Sequence, residues 1–344
     1  MDGHLRRAAD KRLVGFPEIN YDELEFTGEY LGAGAFGAVA KANYLGKTVA
    51  VKRLSIGERI TLNDLQQLRR EVRLHASLSF PNIVQLIGAS TVPPRLGIVM
   101  ELAPYGSLFD ILHLPRVAQV REWVCHIHRI NQTEVGMLYL HNHRPQVLHR
   151  DLKSANVLVF EGWQAKICDF GLATNFDANA HTTTRGSGMR GTYAWMAPEI
   201  MRGAKYTTAS DVYSLGLIVY EVISGKIPFQ DQNLMQLALG LDRGERPLLP
   251  THDLDAPAGG HRLAALMQRC WQQDAGSRPR SRATTAELSS IVASIGGDPR
   301  ITSTGGATAA VEGHASRSPA QHHVVRTWRS CRLQCGELRR SYCM

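Results

Sequence analysis

No uninterrupted apolar run of about 18 residues occurs in the 344-residue chain, so nothing in it reads as a membrane-spanning helix. The nearest approach, VYSLGLIVYEVISG at 212–225, is shorter and carries Glu221. The opening MDGHLRRAADKRLVGFP lacks the apolar core of a secretory signal, and Asp2 stands where N-myristoylation needs glycine. Six cysteines (125, 168, 270, 331, 335 and 343) are scattered without the dense spacing of a disulfide scaffold. A reducing, cytoplasmic setting is therefore expected. Basic charge is also short where a nucleic-acid face would need it: of the formal +8, +4 falls within residues 297–344. No nucleic-acid partner is expected, and no internal repeat is evident.

Residues 22 to about 110 read as short strands with turns at glycines and at Leu45-Gly46-Lys47, broken by one helical stretch, TLNDLQQLRREVRLHASL. IVQLIGA and RLGIVMELA supply two further strands. From about 118 to 295 helical patterns dominate, apart from an irregular stretch at 147–200. Strands first and helices second predict an α+β fold in two lobes. The division expected is an N-terminal extension at 1–20, a domain at 21–295 with its lobes meeting at 102/103, and a basic tail at 296–344. The tail's weak periodicity predicts disorder. Its CRLQCGELRRSYC, with His322 and His323, lacks the second close cysteine pair of a zinc site.

LGAGAFGAV at 31–39 sets Gly32, Gly34 and Gly37 in GxGxxG spacing, which opens backbone N–H groups to an anion. Taken alone, the same glycines serve equally well as a hairpin turn. A strand, AVAKANYL, follows them rather than a helix, which argues against a dinucleotide-binding βαβ turn. In TVAVK at 48–52, alternation puts Ala50 and Lys52 on one face. The small residue leaves room for a flat ring, and the lysine aims an ammonium at something anionic. On the helix that follows, Glu71 and His75 lie along the apolar stripe of Leu68, Val72 and Leu78. A desolvated carboxylate needs a counter-charge, and Lys52 is the expected partner. HRDLKSAN at 149–156 then gathers Arg150, Asp151, Lys153 and Asn156, a set that a surface turn would also display.

Together with DFG (169–171), APE (197–199), DVYSLG (211–216) and CWQQDAGSRP (270–279), in that order, these motifs resemble those of eukaryotic protein kinases from about Tyr21 to Ile295. HRDLK with Lys153 and GTYAWMAPE with Thr192 look like Ser/Thr kinases, while WMAPE and the CW…RP ending are shared with tyrosine kinases. The mixture resembles the tyrosine-kinase-like group, which mostly phosphorylates Ser and Thr. The resemblance implies a bilobal kinase fold: a small β-rich lobe with one regulatory helix and a larger, mainly helical lobe. It also implies ATP and Mg²⁺ as cofactors and transfer of the γ-phosphoryl group to Ser/Thr hydroxyls of protein substrates in intracellular signalling.

By matching position, Asp151 would accept the acceptor hydroxyl's proton and Lys153 would stabilise the transferring group. Lys52, paired with Glu71, would contact the α/β-phosphates, while Asn156 and Asp169 would hold Mg²⁺. Leu31, Val39, Ala50 and Leu158 would sandwich adenine beneath the loop of Gly32, Gly34 and Gly37. Met100 matches the gatekeeper, and Glu101 to Ala103 would offer hinge backbone bonds. Glu199, Arg278, Asp211, His149 and Phe170 match positions with structural roles.

Arg150 precedes the expected base, where related kinases clamp a phosphate on the activation segment; Thr182, Thr183, Thr184 and Ser187 are the acceptors within reach. Ala155 stands where many arginine-directed kinases have glutamate, against a preference for basic substrates. His75 and Phe80 depart from the family pattern: the first replaces an aliphatic residue, the second a frequent histidine. Protonation of His75 would bury a cation, so a looser or pH-dependent helix is expected, and His75→Leu should preserve or raise activity. The competing reading is a catalytically weak kinase-like scaffold. Scaffolds typically lose the lysine, the base or the metal aspartate, whereas Lys52, Asp151, Asn156 and Asp169 are all present.

Overall fold

The first lobe is a five-stranded antiparallel sheet crossed by one helix. Its elements are β1 (Glu25–Gly34), β2 (Gly37–Tyr44), β3 (Lys47–Arg53), α1 (Leu62–Ala76), β4 (Leu86–Ser90) and β5 (Gly97–Glu101), in sheet order β1-β2-β3-β5-β4. The computed structural model describes residues 15–34, 37–53, 61–113, 119–175, 193–249 and 259–295; the tail at 296–344 and Thr182, Thr183, Thr184, Ser187 and Thr192 lie outside them. Alternation along β3 sends Val49 and Val51 into an apolar layer with Ile19, Leu24, Ala42 and Val99. Helix α1 starts at a capping box between Thr61 and Asp64. It buries Leu65, Leu68 and Val72 against Ala89, Leu96 and Ile98.

The second lobe comprises α2 (Leu108–Leu112), α3 (Gln119–Asn142), β6 (Val147–Leu148), β7 (Val157–Val159), β8 (Ala165–Ile167), β9 (Thr174–Asn175), α4 (Pro198–Met201), α5 (Thr208–Ser224), α6 (Leu234–Asp242), α7 (Gly260–Cys270) and α8 (Ser281–Ile295). Helix α5 is buried at every position from Ser210 to Val222, which is why VYSLGLIVYEV is apolar all round. It is the axis of the lobe. Among the described residues no helix is long and apolar enough to cross a membrane. Gly216 lets α7 approach: a Cβ there would lie 3.0 Å from Cys270 Cβ. On α3, Ile127, Ile130, Met137 and Leu140 are fully buried, each contributing about 1.5–3 kcal/mol by burial. Cys125, Cys168 and Cys270 are buried.

One strand begins later than its apolar run suggests. The segment IVQLIGA reads as continuous strand, yet β4 starts at Leu86. Its first residues serve the other lobe instead: the N–H of Val84 donates to Ile167 O (2.9 Å), and the N–H of Ile167 donates to Asn82 O (2.9 Å). A backbone committed to β8 cannot also enter the β4 ladder. Nearby Phe80 stacks on Tyr139 of α3, with ring centroids 4.5 Å apart.

Candidate active site

Lys52 lies on the face of β3 opposite the apolar layer, beside Val39 of β2 and Ile98 of β5. Its ammonium is 2.8 Å from Glu71 Oε1 on α1 and 2.6 Å from Asp169 Oδ1 just beyond β8. Burial alone would lower the Lys52 pKa, but the Asp169 and Glu71 carboxylates hold it above the ordinary lysine value. The two carboxyls respond differently. Burial raises Glu71 above the usual carboxylate range despite Lys52. Burial would also raise Asp169, but there the ammonium outweighs it and holds the pKa at about 2. The single ammonium is thus shared by two carboxylates, both within direct ion-pair distance.

Asp151 is buried, with its two oxygens in unequal surroundings. Oδ2 takes the Lys153 ammonium at 3.2 Å and the Asn156 amide N–H at 3.0 Å. Oδ1 is buried with no hydrogen-bond partner among the described residues. Burial, with the Lys153 ammonium opposing it, raises the Asp151 carboxyl above its ordinary value. Asn156 also donates to Asp151 O (2.7 Å), and its own carbonyl accepts the Cys168 N–H (3.0 Å), linking the loop to the strand that leads into Asp169.

The loop is held from below by one carboxylate. Asp211 of α5 accepts the N–H groups of His149 (3.0 Å) and Arg150 (2.9 Å), and its Oδ2 also meets His141 Nε2 (2.9 Å). These bonds offset the left-handed backbone of Arg150, φ 66°, a conformation that costs a non-glycine residue about 1–2 kcal/mol. His149 is used at both ring nitrogens, Nε2 donating to Cys168 O (3.0 Å) and Nδ1 accepting the Asp151 N–H (3.3 Å). Its role is to hold the loop. Asp169 has the same unusual backbone, φ 65°, and Phe170 after it is 1% exposed.

Phe170 sits between two imidazoles, 5.0 Å from the His75 ring and 5.7 Å from His149. The His75 ring is firmly placed: it is 2% exposed and Nε2–H donates to Val84 O at 2.6 Å. Burial lowers its pKa to about 4, so the pH dependence expected from this residue falls on the acid side of neutrality.

Of the other residues singled out in the sequence, Gly32 pairs with Val39 and Gly34 with Gly37 across the β1–β2 turn. Ala50 pairs with Lys41 and Met100. Met100, Ala103 and Leu158 pack together against Val84, Phe160 and Cys168. Leu31 and Val39 are half-buried. Hydrogen bonds from Tyr105 N–H to Val159 O (3.3 Å) and Val159 N–H to Gly106 O (2.9 Å) seat β7 beneath the segment joining the lobes. The Glu101 side chain has a use the sequence did not disclose. It takes Lys166 Nζ at 2.7 and 2.8 Å and the Gln85 N–H at 2.7 Å. The period-two pattern of β8, with Ala165 and Ile167 buried and Lys166 between them, was the available signal. The contact of Lys52 with Asp169 spans 117 residues and had none.

The arrangement supplies a cation and two carboxylates where the lobes meet, with a buried acid nearby that has one oxygen unsatisfied. Asn156 and Asp169 offer oxygen ligands of the kind a hard divalent cation takes, and among the described residues no three or more His, Cys, Asp or Glu form a metal cage. Two protein oxygens fit Mg²⁺, which takes most of its ligands from phosphates and water.

Comparison with known proteins gives the family. The family described as protein tyrosine and serine/threonine kinase matches residues 26–288. The chain is 36% identical over 76% of its length to mitogen-activated protein kinase kinase kinase 10 of Mus musculus, covering 27% of that protein. It is 34% identical over 81% to serine/threonine-protein kinase STY46 of Arabidopsis thaliana, covering 46%. It is 38% identical over 73% to "Probable serine/threonine-protein kinase drkD" of Dictyostelium discoideum, covering 18%. The chain thus spans less than half the length of these curated relatives. With two lobes meeting at a lysine shared by Glu71 and Asp169 and a family match over residues 26–288, the chain belongs to the protein tyrosine and serine/threonine kinase family.

Proposed function

We propose that the chain is an active protein kinase that transfers the γ-phosphoryl group of Mg-ATP to Ser or Thr hydroxyls of protein substrates in intracellular signalling. The observation that carries this reading is Asp151: a buried carboxyl anchored at Oδ2 by Lys153 and Asn156, with Oδ1 unsatisfied among the described residues. A buried acceptor left open costs roughly 1–3 kcal/mol, a cost that makes sense if an incoming hydroxyl completes it.

In this reading Asp151 Oδ1 orients the acceptor hydroxyl and takes its proton, and its burial-raised pKa brings it closer to the working range of a general base. Lys153 places positive charge beside the reacting oxygen, and Lys52 binds the α/β-phosphates when it is shared with Glu71. Asn156 and Asp169 hold Mg²⁺, which when bound neutralises charge on the phosphates. Leu31, Val39, Ala50 and Leu158 enclose the adenine, Gly32, Gly34 and Gly37 cover the phosphates, Met100 limits the depth of the pocket, and backbone groups of Glu101 to Ala103 select the base edge. Glu101 suits a backbone role, since Lys166 and Gln85 engage its carboxylate.

Regulation by phosphorylation at Thr182, Thr183, Thr184 or Ser187 belongs to the same proposal. Arg150 of the loop and Arg70 of α1 are close enough to repel each other, and such a pair favours a phosphate between the lobes. Wild type and Asp151→Asn should be incubated with labelled ATP, Mg²⁺ and a degenerate peptide library, followed by phosphoamino-acid analysis. Label on Ser and Thr, reduced about 10²–10⁴-fold in the variant, is the expected result. Equal labelling by both proteins would refute the assignment, and a wild type that binds ATP without transfer would favour the scaffold.

A further inference from the structure

Residues 16–19 precede the first strand, yet they are built into the sheet lobe. The N–H of Ile19 donates to Ala89 O (2.8 Å) and the N–H of Ala89 to Pro17 O (3.0 Å), so Glu18 forms a parallel bridge on β4, an edge strand of the sheet. The Glu18 carboxylate accepts the Thr91 N–H (2.7 Å) and its hydroxyl (2.8 Å). Gly88 makes the approach possible: a Cβ there would stand 2.5 Å from Pro17 O and 2.6 Å from Ile19 Cδ1. An edge covered in this way is closed to other chains.

The two apolar side chains of the segment go to different layers. Ile19 enters the one formed by Val49, Val51 and Val99. Phe16 packs on the layer that holds Leu65, Leu68 and Val72 of α1, and Arg69 of the same helix lies within electrostatic reach of Glu18. Val72 is the immediate neighbour of Glu71, so the segment bears on the helix that carries the partner of Lys52. We propose that residues 16–19 form a strap that positions α1, and through it Glu71, with Phe16 as the positioning residue. The inference rests on the kinase reading, in which the Lys52–Glu71 pair must be in place for phosphate transfer.

The test compares the full chain as wild type, Phe16→Ala, Phe16→Leu and Gly88→Ala. Amide hydrogen exchange at residues 62–76 and kcat with a peptide substrate are read together, and Asp151→Asn sets the floor for activity. Phe16→Ala should speed exchange at 62–76 about fivefold and lower kcat by a similar factor, the scale expected from losing one half-buried phenylalanine contact. Phe16→Leu should restore both, and Gly88→Ala, which pushes the strap off β4, should act at least as strongly as Phe16→Ala. Faster exchange confined to 16–19 and 88–91, with 62–76 unchanged, would overturn the strap. If Asp151→Asn equals wild type, the kinase reading fails instead. Exchange at 62–76 then decides the strap alone: protection lost in Phe16→Ala upholds it and protection kept ends it.

Discussion

Two ion-pair networks, one in each part of the molecule, use the same chemistry for opposite ends. In the helical lobe Arg278 is fully buried and meets both Glu199 oxygens at 2.7 Å, while the Ala209, Gln272 and Gln273 carbonyls take its remaining donors. Burial would raise the Glu199 carboxyl, but the guanidinium holds it below the ordinary value. Every donor there has a fixed acceptor. At the cleft, one ammonium serves two carboxylates, and a nearby acid keeps a buried oxygen without a partner among the described residues. Arginine's planar fork suits a closed network, and lysine's point charge suits one that must exchange partners. The difference separates a joint from a site.

The largest expected effect comes from breaking the open network. Lys52→Met should lower kcat/KM by about 10³-fold, roughly 4 kcal/mol of transition-state stabilisation. Thermal stability should fall less than activity, because water can reach the 31%-exposed Asp169 side chain and Glu71, whose pKa burial raises, can take a proton when the ammonium is gone. A fully active Lys52→Met protein would end the comparison. Breaking the closed network should do the reverse. Arg278→Met leaves Glu199 with its charge uncompensated and should cost about 3–5 kcal/mol in denaturant unfolding. The enzyme that remains folded should keep its kcat. Loss of kcat in a stable Arg278→Met protein would show that this pair is not merely structural.

A smaller effect concerns His75, the titratable link between α1 and Phe170. Its pKa is near 4 in the folded protein, against about 6.5 in an unfolded chain. Between these values the unfolded state binds the extra proton, so stability is fully present above about pH 6.5 and falls as the pH drops toward 4. The loss across this interval is on the order of 3 kcal/mol. It should appear as a difference in acid dependence of Tm between wild type and His75→Leu, whereas parallel curves would contradict it. The smallest effect is expected at the surface pair of Lys41 and Glu29, 3.1 Å apart and 31% and 39% exposed. Lys41→Ala should change stability by less than about 1 kcal/mol, as measured by urea unfolding in low and high salt.

The contrast between these networks was only partly legible beforehand. Glu71 and Lys52 were paired on a burial argument alone, because a carboxylate on the apolar stripe of a short helix has to be neutralised. By contrast, IVQLIGA reads as a strand that begins three residues before β4 does, since apolar residues look alike whether their backbone enters a sheet or crosses to another lobe. Phe16 falls in the expected extension before the domain; only its packing against the layer that holds Leu65, Leu68 and Val72 gives it significance. Lys166 and Glu101 are 65 residues apart, and neither has a neighbour in sequence that requires the other.

What residue types and local spacing settle is the inventory and its placement: glycines at the turn between two strands, a lysine on one face of a strand, and acid, lysine and amide within one short loop. Those follow from residue type and a repeat of two or 3.6, which act over a few positions. That a second carboxylate, Asp169, shares the lysine, which oxygen of Asp151 stays open, and where residues 16–19 lie were decided only by tertiary structure. Each depends on chain segments tens to more than a hundred residues apart being pressed into one low-dielectric space, where desolvation makes every charge depend on all its neighbours.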